Sequence, residues 1–346
     1  MEYRAVADPA QVYRERVQGN VAIYLDTNAW SDLTEGTTSD AQNALSLARA
    51  ARSRAIAIFP LGFATITELL KREINADSIV QAELMDILSA GVAFRGNTRI
   101  ADEEVRSACA FLLNGNAASP VERVFTITPC YLSDTRVVFP DGWSEDEADK
   151  FMQKLDEYGF PGMRWLQQYM REQTHLDLQA STDEKYVREI SRKRADAMTW
   201  AADKSGKLNA AKVRAEEHAC VLEKYILTRA MRVVGPRTVA SLAPILMQLQ
   251  KDGRKLAAAV AAMPSTWLSC EMNVQRMLAI SRQTRKQDFY DHEHAVLAVP
   301  YTQAFVTSDG GILDILRRVR ATERFDCRLL RGIGALGSYL SEILTT

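Results

Sequence analysis

The stretch VAIYLDTNAW (residues 21–30) decides the fold. Its first five residues are apolar, and they run into a polar turn at Asp26-Thr27-Asn28. A short apolar run of β-branched and aromatic residues that ends in a polar turn is typical of a buried strand. We therefore predict a strand that carries Asp26 at its carboxyl end.

The segments on either side of the chain's middle alternate between helix and strand. Near the N-terminus we predict a helix from about Asp40 to Arg54, a strand in RAIAIFP (54–60) and a helix in ATITELLKREI (64–74). The pattern returns as DHEHAVLAVPYTQ (291–303, helix), AFVTSD (304–309, strand), GILDILRRVR (311–320, helix) and CRLLRG (327–332, strand). This alternation indicates an α/β fold with a parallel sheet.

The middle of the chain has a different character. Most of residues 145–285 is rich in Ala, Leu, Arg, Lys and Glu at helical spacing, and Pro236, Pro244 and Pro264 are expected to mark helix boundaries. We predict one discontinuous α/β domain, residues 18–113 plus 286–346. A mostly helical insertion domain, residues 114–285, interrupts it.

Charge is distributed unevenly along the chain. The formal net charge is −1, yet residues 185–286 contain twenty Lys/Arg against eight Asp/Glu, a local excess of +12. Such segregation is an argument about partners. It favours contact between the basic insertion and nucleic acid, although a solvated helix surface remains an alternative. The basic residues predicted to bind nucleic acid are Lys185, Arg188, Arg192, Lys193, Arg194, Lys204 and Lys207.

The sequence also limits compartment and partners. The first twenty residues lack the apolar run of a signal peptide, and the longest apolar stretch (256–264) is too short to span a bilayer. Five scattered cysteines without a C-x-x-C pair suit free thiols in a reducing compartment. We expect a cytoplasmic protein with no membrane partner. A homodimer and an inhibitory partner protein both stay open.

Four acids occupy positions where α/β folds usually place chemistry. Asp26 ends the first strand, Glu68 lies in the helix after the second, Asp291 begins the helix before the last pair of strands, and Asp309 closes VTSD. Clustered carboxylates repel one another unless a cation compensates them. Oxygen-only ligands suit one or two Mg²⁺ or Mn²⁺ ions.

Two neighbours of Asp291 have open roles. Asp288 precedes it by three residues and is either a further metal ligand or a helix cap. His294 follows it by three residues, so on a helix it shares the same face. It either supports the metal ligands or packs as a hydrogen-bonded histidine.

The motifs in this order resemble the PIN domain family, metal-dependent nucleases found in toxin–antitoxin systems and RNA processing. The resemblance rests on LDTN (25–28), TITELL (65–70), D-x-x-D-x-x-H (288–294) and VTSD (306–309). The family's acidic site corresponds to Asp26, Glu68, Asp291 and Asp309. The last two are eighteen residues apart, the family's usual spacing. Asn28 and Thr307 match polar positions that usually support the metal ligands.

The resemblance implies a PIN-like catalytic domain that hydrolyses phosphodiesters in nucleic acid. It implies an endoribonuclease that leaves a 5′-phosphate and a 3′-hydroxyl, and toxin, antiviral effector and processing enzyme all stay open as roles. One alternative is a catalytically silent PIN-like module that binds RNA or protein. A minor alternative is a phosphatase of the haloacid dehalogenase type, which requires a second acid at the position of Asn28.

Overall fold

A parallel sheet of four strands forms the centre of the molecule. The computed structural model describes residues 2–3, 8–71, 76–127, 137–138, 180–202, 207–249, 251–279 and 282–345. In chain order the eight strands are β1 Glu2–Tyr3, β2 Val21–Leu25, β3 Ala57–Ile58, β4 Val92–Phe94, β5 Phe125–Ile127, β6 Val137–Val138, β7 Ala304–Thr307 and β8 Arg328–Arg331. The central sheet has the order β3-β2-β7-β8.

All neighbouring strands of the central sheet are parallel, as the helix–strand alternation predicted. Leu25 pairs with Val306, so β2 and β7 end side by side at the same edge. Two antiparallel pairs, β4 with β5 and β1 with β6, lie outside this sheet. A single bridge between Leu61 and Ala93 connects the β4–β5 pair to the chain just after β3.

Helices cover both faces of the sheet. Those before residue 128 are α1 Pro9–Val12, which continues into a π-helical turn at Tyr13–Val17, α2 Thr27–Glu35, α3 Ser39–Ser53, α4 Phe63–Lys71, α5 Ala76–Ser89 and α6 Asn97–Asn114. A short 3₁₀ turn, Pro120–Arg123, precedes β5. Those after β6 are α7 Ala180–Trp200, α8 Ala210–Val221, which runs through a π-helical turn at Leu222–Leu227 into α9 Thr228–Leu249, α10 Gly253–Ala261, α11 Pro264–Leu278, α12 Gln287–Tyr301, α13 Gly310–Arg318, α14 Ala321–Phe325 and α15 Gly332–Thr345.

Successive strand residues supply two separate hydrophobic cores. Ile23 and Leu25 of β2 point to one face, where α2, α3, α4, α5 and α15 pack. Tyr24 points to the other face, where α11, α12 and α13 pack. This alternation follows from the period of two in a strand. The sheet is thus buried on both sides, which is usual for all-parallel sheets.

The described part of residues 180–278 is mainly helical, as predicted, but its packing also involves α6, which precedes the predicted boundary at residue 114. A third core joins Val105 and Cys109 of α6 to α8, α9, α10 and α11. Helix α11 contributes to this core and, through Leu268 and Met272, to the core beneath the sheet. Hydrophobic packing crosses both predicted domain boundaries, 113/114 and 285/286. The division into two domains therefore stays a prediction. No helix in the described ranges is long and apolar enough to cross a membrane.

Candidate active site

Two of the four predicted acids lie at the carboxyl ends of adjacent strands. Asp26 directly follows β2, and its backbone N–H donates to Val306 O of β7 at 3.1 Å. Asp309 follows β7 by two residues. Both are also helix N-caps, because Asp26 Oδ1 accepts from Ala29 N at 2.7 Å and Asp309 Oδ1 accepts from Ile312 N at 2.8 Å.

The other two acids reach this edge from helices. Glu68 lies on α4, which follows β3. Asp291 lies in the second turn of α12, which precedes β7. A helix that leads into a parallel strand runs back along the sheet, so its first turns start at the carboxyl edge. The topology therefore brings Glu68 and Asp291 to the same edge as Asp26 and Asp309.

His294 lies at the centre of the acidic cluster. Its Nε2 lies 2.9 Å from Glu68 Oε2, and its Nδ1 lies 2.8 Å from the Tyr24 hydroxyl. Burial opposes the charge on both partners, but their mutual hydrogen bond and attraction prevail. The pKa of His294 is therefore raised and that of Glu68 lowered. The charges of Asp26 and Asp291 also raise the pKa of His294.

Asp26 and Asp291 carry negative charge at an energetic cost. Burial raises the pKa of Asp26, although His294, a hydrogen bond from Thr307 and the cap to Ala29 oppose this shift. Burial and the nearby charge of Asp309 raise the pKa of Asp291 to about 7. The only side chain whose hydrogen bond to Asp291 is resolved in the described ranges is Gln287, at 3.5 Å. A cation bound near Asp26 and Asp291 would offset the cost of burying their negative charges.

The predicted supporting residues differ in what they contact. Thr307 is buried and its Oγ1 accepts from Asp309 N at 3.1 Å, while its hydroxyl bonds to Asp26. Asn28 is exposed on the first turn of α2. Asp288 is buried, forms an ion pair with Arg282 and accepts from Arg285 N at 2.9 Å. Its carboxylate thus bonds to the turn before α12 and is not the N-cap, which is Lys286, and a role as a metal ligand stays a prediction.

Two residues that sequence reasoning did not single out complete the cluster. The Thr27 hydroxyl donates to Glu68 Oε2 and lies 3.4 Å from His294 Nε2. The Tyr24 hydroxyl bonds to Thr65 Oγ1 at 3.1 Å as well as to His294. The Tyr24 ring lies directly against Gly62, where even a Cβ would collide with its hydroxyl end. The sequence signal was a tyrosine in an otherwise aliphatic strand.

The basic residues predicted to contact nucleic acid fall into two groups. Lys193 is mostly buried and pairs with Glu217 at 2.7 Å, and Arg194 donates to the backbone carbonyls of Arg276 and Arg282. These two side chains hold α7 in place. Lys185, Arg188, Arg192 and Lys207 are exposed, and Lys204 lies outside the described residues.

A second buried histidine lies on the opposite face of α12. His292 Nε2 is 2.8 Å from Ser269 Oγ, and its Nδ1 is 2.9 Å from Arg276 Nη1. A guanidinium is always a donor, so Nδ1 accepts and Nε2 carries the proton. His292 therefore donates to Ser269 and cannot take its proton. This pair does not form a nucleophilic serine site.

Two findings limit what can be assigned to the acidic cluster. Across the described ranges, no group of three or more His, Cys, Asp or Glu side chains is arranged so that it could hold a metal ion. Comparison of the chain with known proteins gave no match to a family model, a curated protein or a solved structure. The assignment therefore depends on the geometry of the chain's own residues.

Proposed function

We propose that the chain is a metal-dependent nuclease with a PIN-like catalytic domain, most simply an endoribonuclease. The observation that carries this proposal is the convergence of Asp26, Glu68, Asp291 and Asp309 on one sheet edge around His294. Acids from four separate segments meet there, and two of them have raised pKa values. Perturbed carboxylates gathered at a sheet edge are a feature of functional sites.

The donor set fits one or two Mg²⁺ or Mn²⁺ ions. Carboxylate and hydroxyl oxygens are the ligands these hard cations prefer, and the four predicted ligands are all carboxylates. Such an ion, when bound, would activate water for attack at phosphorus and stabilise the leaving oxygen. The carboxylates now repel one another or bind His294, so side-chain rotation must bring them onto the ion. This accounts for the lack of a preformed ligand group.

Neighbouring residues orient the acids of the cluster. Asp26 and Asp291 supply negative charge, while Thr307 and the backbone of Ala29 orient Asp26. Thr27 and His294 hold Glu68 in one orientation, and Tyr24 fixes the ring of His294. These bonds hold the acids at the carboxyl edge of the sheet before substrate arrives, and binding of the ion would complete their alignment.

The test is cleavage of total cellular RNA by the purified protein with Mn²⁺. We expect products with a 5′-phosphate and a 3′-hydroxyl, and loss of activity in excess chelator. Asp26→Asn should reduce cleavage by about a hundredfold or more, because a ligand charge is lost. The matched control is Asp32→Asn, an exposed acid on the same helix, which should cleave at the wild-type rate. Activity that persists in chelator would rule out the metal mechanism.

A second candidate is a catalytically silent module that binds RNA. The ion pair between Glu68 and His294 favours it, because a carboxylate already neutralised by histidine can be structural. This candidate predicts RNA binding that is unchanged by Mn²⁺ and no cleavage. Asp26→Asn would then bind RNA as the wild type does.

A further inference from the structure

A basic cavity opens directly beside the acidic cluster. Its volume is about 410 Å³, and Asp309 forms part of its wall. The start of α13 at Gly310 and Gly311 forms another part. The charged side chains that line it are Arg194, Arg276, Arg282, Arg318, Asp288, Asp309 and Asp314. We call this cavity the arginine pocket.

The acids of the arginine pocket are already engaged. Asp288 pairs with Arg282, Asp314 with Arg317 at 3.0 Å, and Asp309 caps Ile312. Within the described ranges, no carboxylate lies within ion-pairing distance of Arg194, Arg276 or Arg318. Three guanidinium groups thus line one cavity without a carboxylate of the described residues at ion-pairing distance.

Arg276 is the most deeply buried of the arginines that line the cavity, with 4% exposure. Its Nη1 bonds to Tyr186 and His292, and its buried Nε has no hydrogen-bond partner among the described residues. The Nε of Arg194 is likewise buried without such a partner. Neither Nε is accessible to a ligand, but both guanidinium groups keep their positive charge beside the cavity, where this charge favours an anion.

The backbone adds donors at the same place. The first N–H groups of a helix have no partner within the helix, and in α13 the Asp309 side chain takes only that of Ile312. The helix dipole also favours an anion here. A Cβ on Gly311 would lie 3.0 Å from Asp309 Oδ1 and 3.8 Å from Arg282 Nη2, so glycine keeps the wall open.

We propose that the arginine pocket binds a phosphate group of the nucleic acid, next to the one that is cleaved. Arginine and helix N-termini are the groups that proteins use for phosphate, and the pocket shares Asp309 with the acidic cluster. The identity of the phosphate as part of a nucleic-acid substrate rests on the proposed nuclease function. Binding of phosphate itself does not.

The first experiment uses inorganic phosphate in metal-depleted buffer, with NMR shifts of the Gly310 and Gly311 amides as the measurement. We expect a saturable shift in the wild type. Arg318→Gln and Gly311→Ala should each weaken binding about tenfold, the first by removing a charged donor and the second by narrowing the pocket. The matched control is Arg320→Gln, which removes the same charge two residues away, from an exposed side chain that pairs with Glu323 and does not line the pocket. It should leave the dissociation constant unchanged.

Two results would overturn the proposal. One is the absence of a saturable shift at Gly310 and Gly311. The other is equal weakening by Arg320→Gln and Arg318→Gln, since this would indicate only a general charge effect. None of these measurements uses cleavage, so an inactive protein with a working pocket refutes the nuclease and not the pocket.

A second arm identifies the source of the phosphate. Short RNA oligonucleotides with a 5′-phosphate or a 5′-hydroxyl are titrated into the same protein. A terminal phosphate in the pocket predicts binding about tenfold tighter for the phosphorylated form, and an internal phosphate predicts equal binding. In both cases Arg318→Gln should weaken binding of the 5′-phosphorylated oligonucleotide, and an unchanged affinity in this variant contradicts the proposal.

Discussion

Asp26 has two roles at the residue level that substitutions can separate. It caps α2 through Ala29 N, and in our proposal it also supplies a ligand charge. Asparagine caps a helix about as well as aspartate, whereas alanine does not. We therefore expect Asp26→Asn and Asp26→Ala to lose cleavage alike. Only Asp26→Ala should also lose the cap, worth about 0.5–2 kcal/mol of unfolding free energy.

Urea denaturation in metal-depleted buffer measures this difference. Thr38→Ala is a suitable control, because Thr38 caps α3 through Ala41 N at 3.2 Å and lies outside the cluster. It should lose a similar amount of stability without losing cleavage. If Asp26→Asn destabilises the fold as much as Asp26→Ala, the capping account is wrong.

Asp291 predicts a pH dependence of stability. Its pKa rises from the ordinary 3.8 to about 7 on folding, so between these pH values the folded protein holds a proton that the unfolded chain releases. The wild type should lose stability as pH rises from about 4 to about 7 and lose no more above that range. Asp291→Asn removes the titrating group, so its advantage over the wild type should appear in this window and reach at most about 4 kcal/mol.

Thermal unfolding between pH 4 and pH 8, without metal, tests this sign. Added Mn²⁺ should then raise the melting temperature of the wild type more than that of Asp291→Asn, because a ligand that binds only the native state stabilises it. An Asp291→Asn protein that gains nothing at pH 8, or responds equally to Mn²⁺, would contradict the assigned role of Asp291.

At the level of elements, α7 is the part of the insertion best placed to meet substrate. It packs onto α12, with Tyr186 and Phe289 ring centroids 5.4 Å apart and Lys286 bonded to Glu184 at 2.7 Å. Lys185, Arg188 and Arg192 are exposed along it. Replacing all three by glutamine should reduce the slope of log affinity against log salt by about two to three units.

Lys193 is excluded from this variant because it holds Glu217, and losing it would disturb the fold. Arg237, Lys251 and Arg254, exposed around α9 and α10, form the control triple with the same loss of charge. Filter binding of RNA at several salt concentrations gives the slopes. Equal slopes in the two triples would mean that α7 does not touch substrate and that the insertion has another partner.

Several elements were predictable because local pattern and packing agree. Helix α3 and strands β2, β7 and β8 match their predicted segments closely. The predicted strand at 54–60 shrinks to Ala57–Ile58, because Ala55 adopts φ 53° in a turn. Pro264 does begin a helix, but Pro244 lies inside α9, and Pro236 follows a break at Gly235 within the same helix.

Helix α6 was not predicted from the sequence, because some of its buried positions hold charged residues that are neutralised by tertiary contacts. It buries Asp102, which pairs with Arg229 and Arg232, and Glu104, which accepts from Ser265 N and Thr266 N at the start of α11. Acidic residues in a sequence usually indicate a solvent-exposed helix face, so the buried acids of α6 hide the face that packs against the core. The positions of Asp26 and Asp309 near strand ends were predictable from the strand pattern, whereas Glu68 was singled out through its motif, and the role of all four acids in a site stays a prediction. Thr27 and Tyr24 were not predictable, because their role depends on the orientation of His294.

At the scale of the whole molecule, the helical region is continuous with the sheet. Helix α11 packs under the sheet and in the third core, and α7 lies against α12, which carries Asp291 and His294. Substrate bound along α7 would therefore meet the arginine pocket and the acidic cluster in turn. We therefore propose that the insertion and the proposed active site form one binding surface.

Our central proposal is that Asp26, Glu68, Asp291 and Asp309 together bind a divalent cation. Anomalous diffraction from crystals soaked in Mn²⁺ tests it most directly, with Asp26→Asn crystals as the comparison. We predict a peak at the carboxyl edge of the sheet, about 2.1 Å from oxygens of Asp26 and of at least one of Glu68, Asp291 and Asp309, weakened or lost in the variant. A well-ordered site without such a peak, or with manganese bound only elsewhere, would contradict the claim.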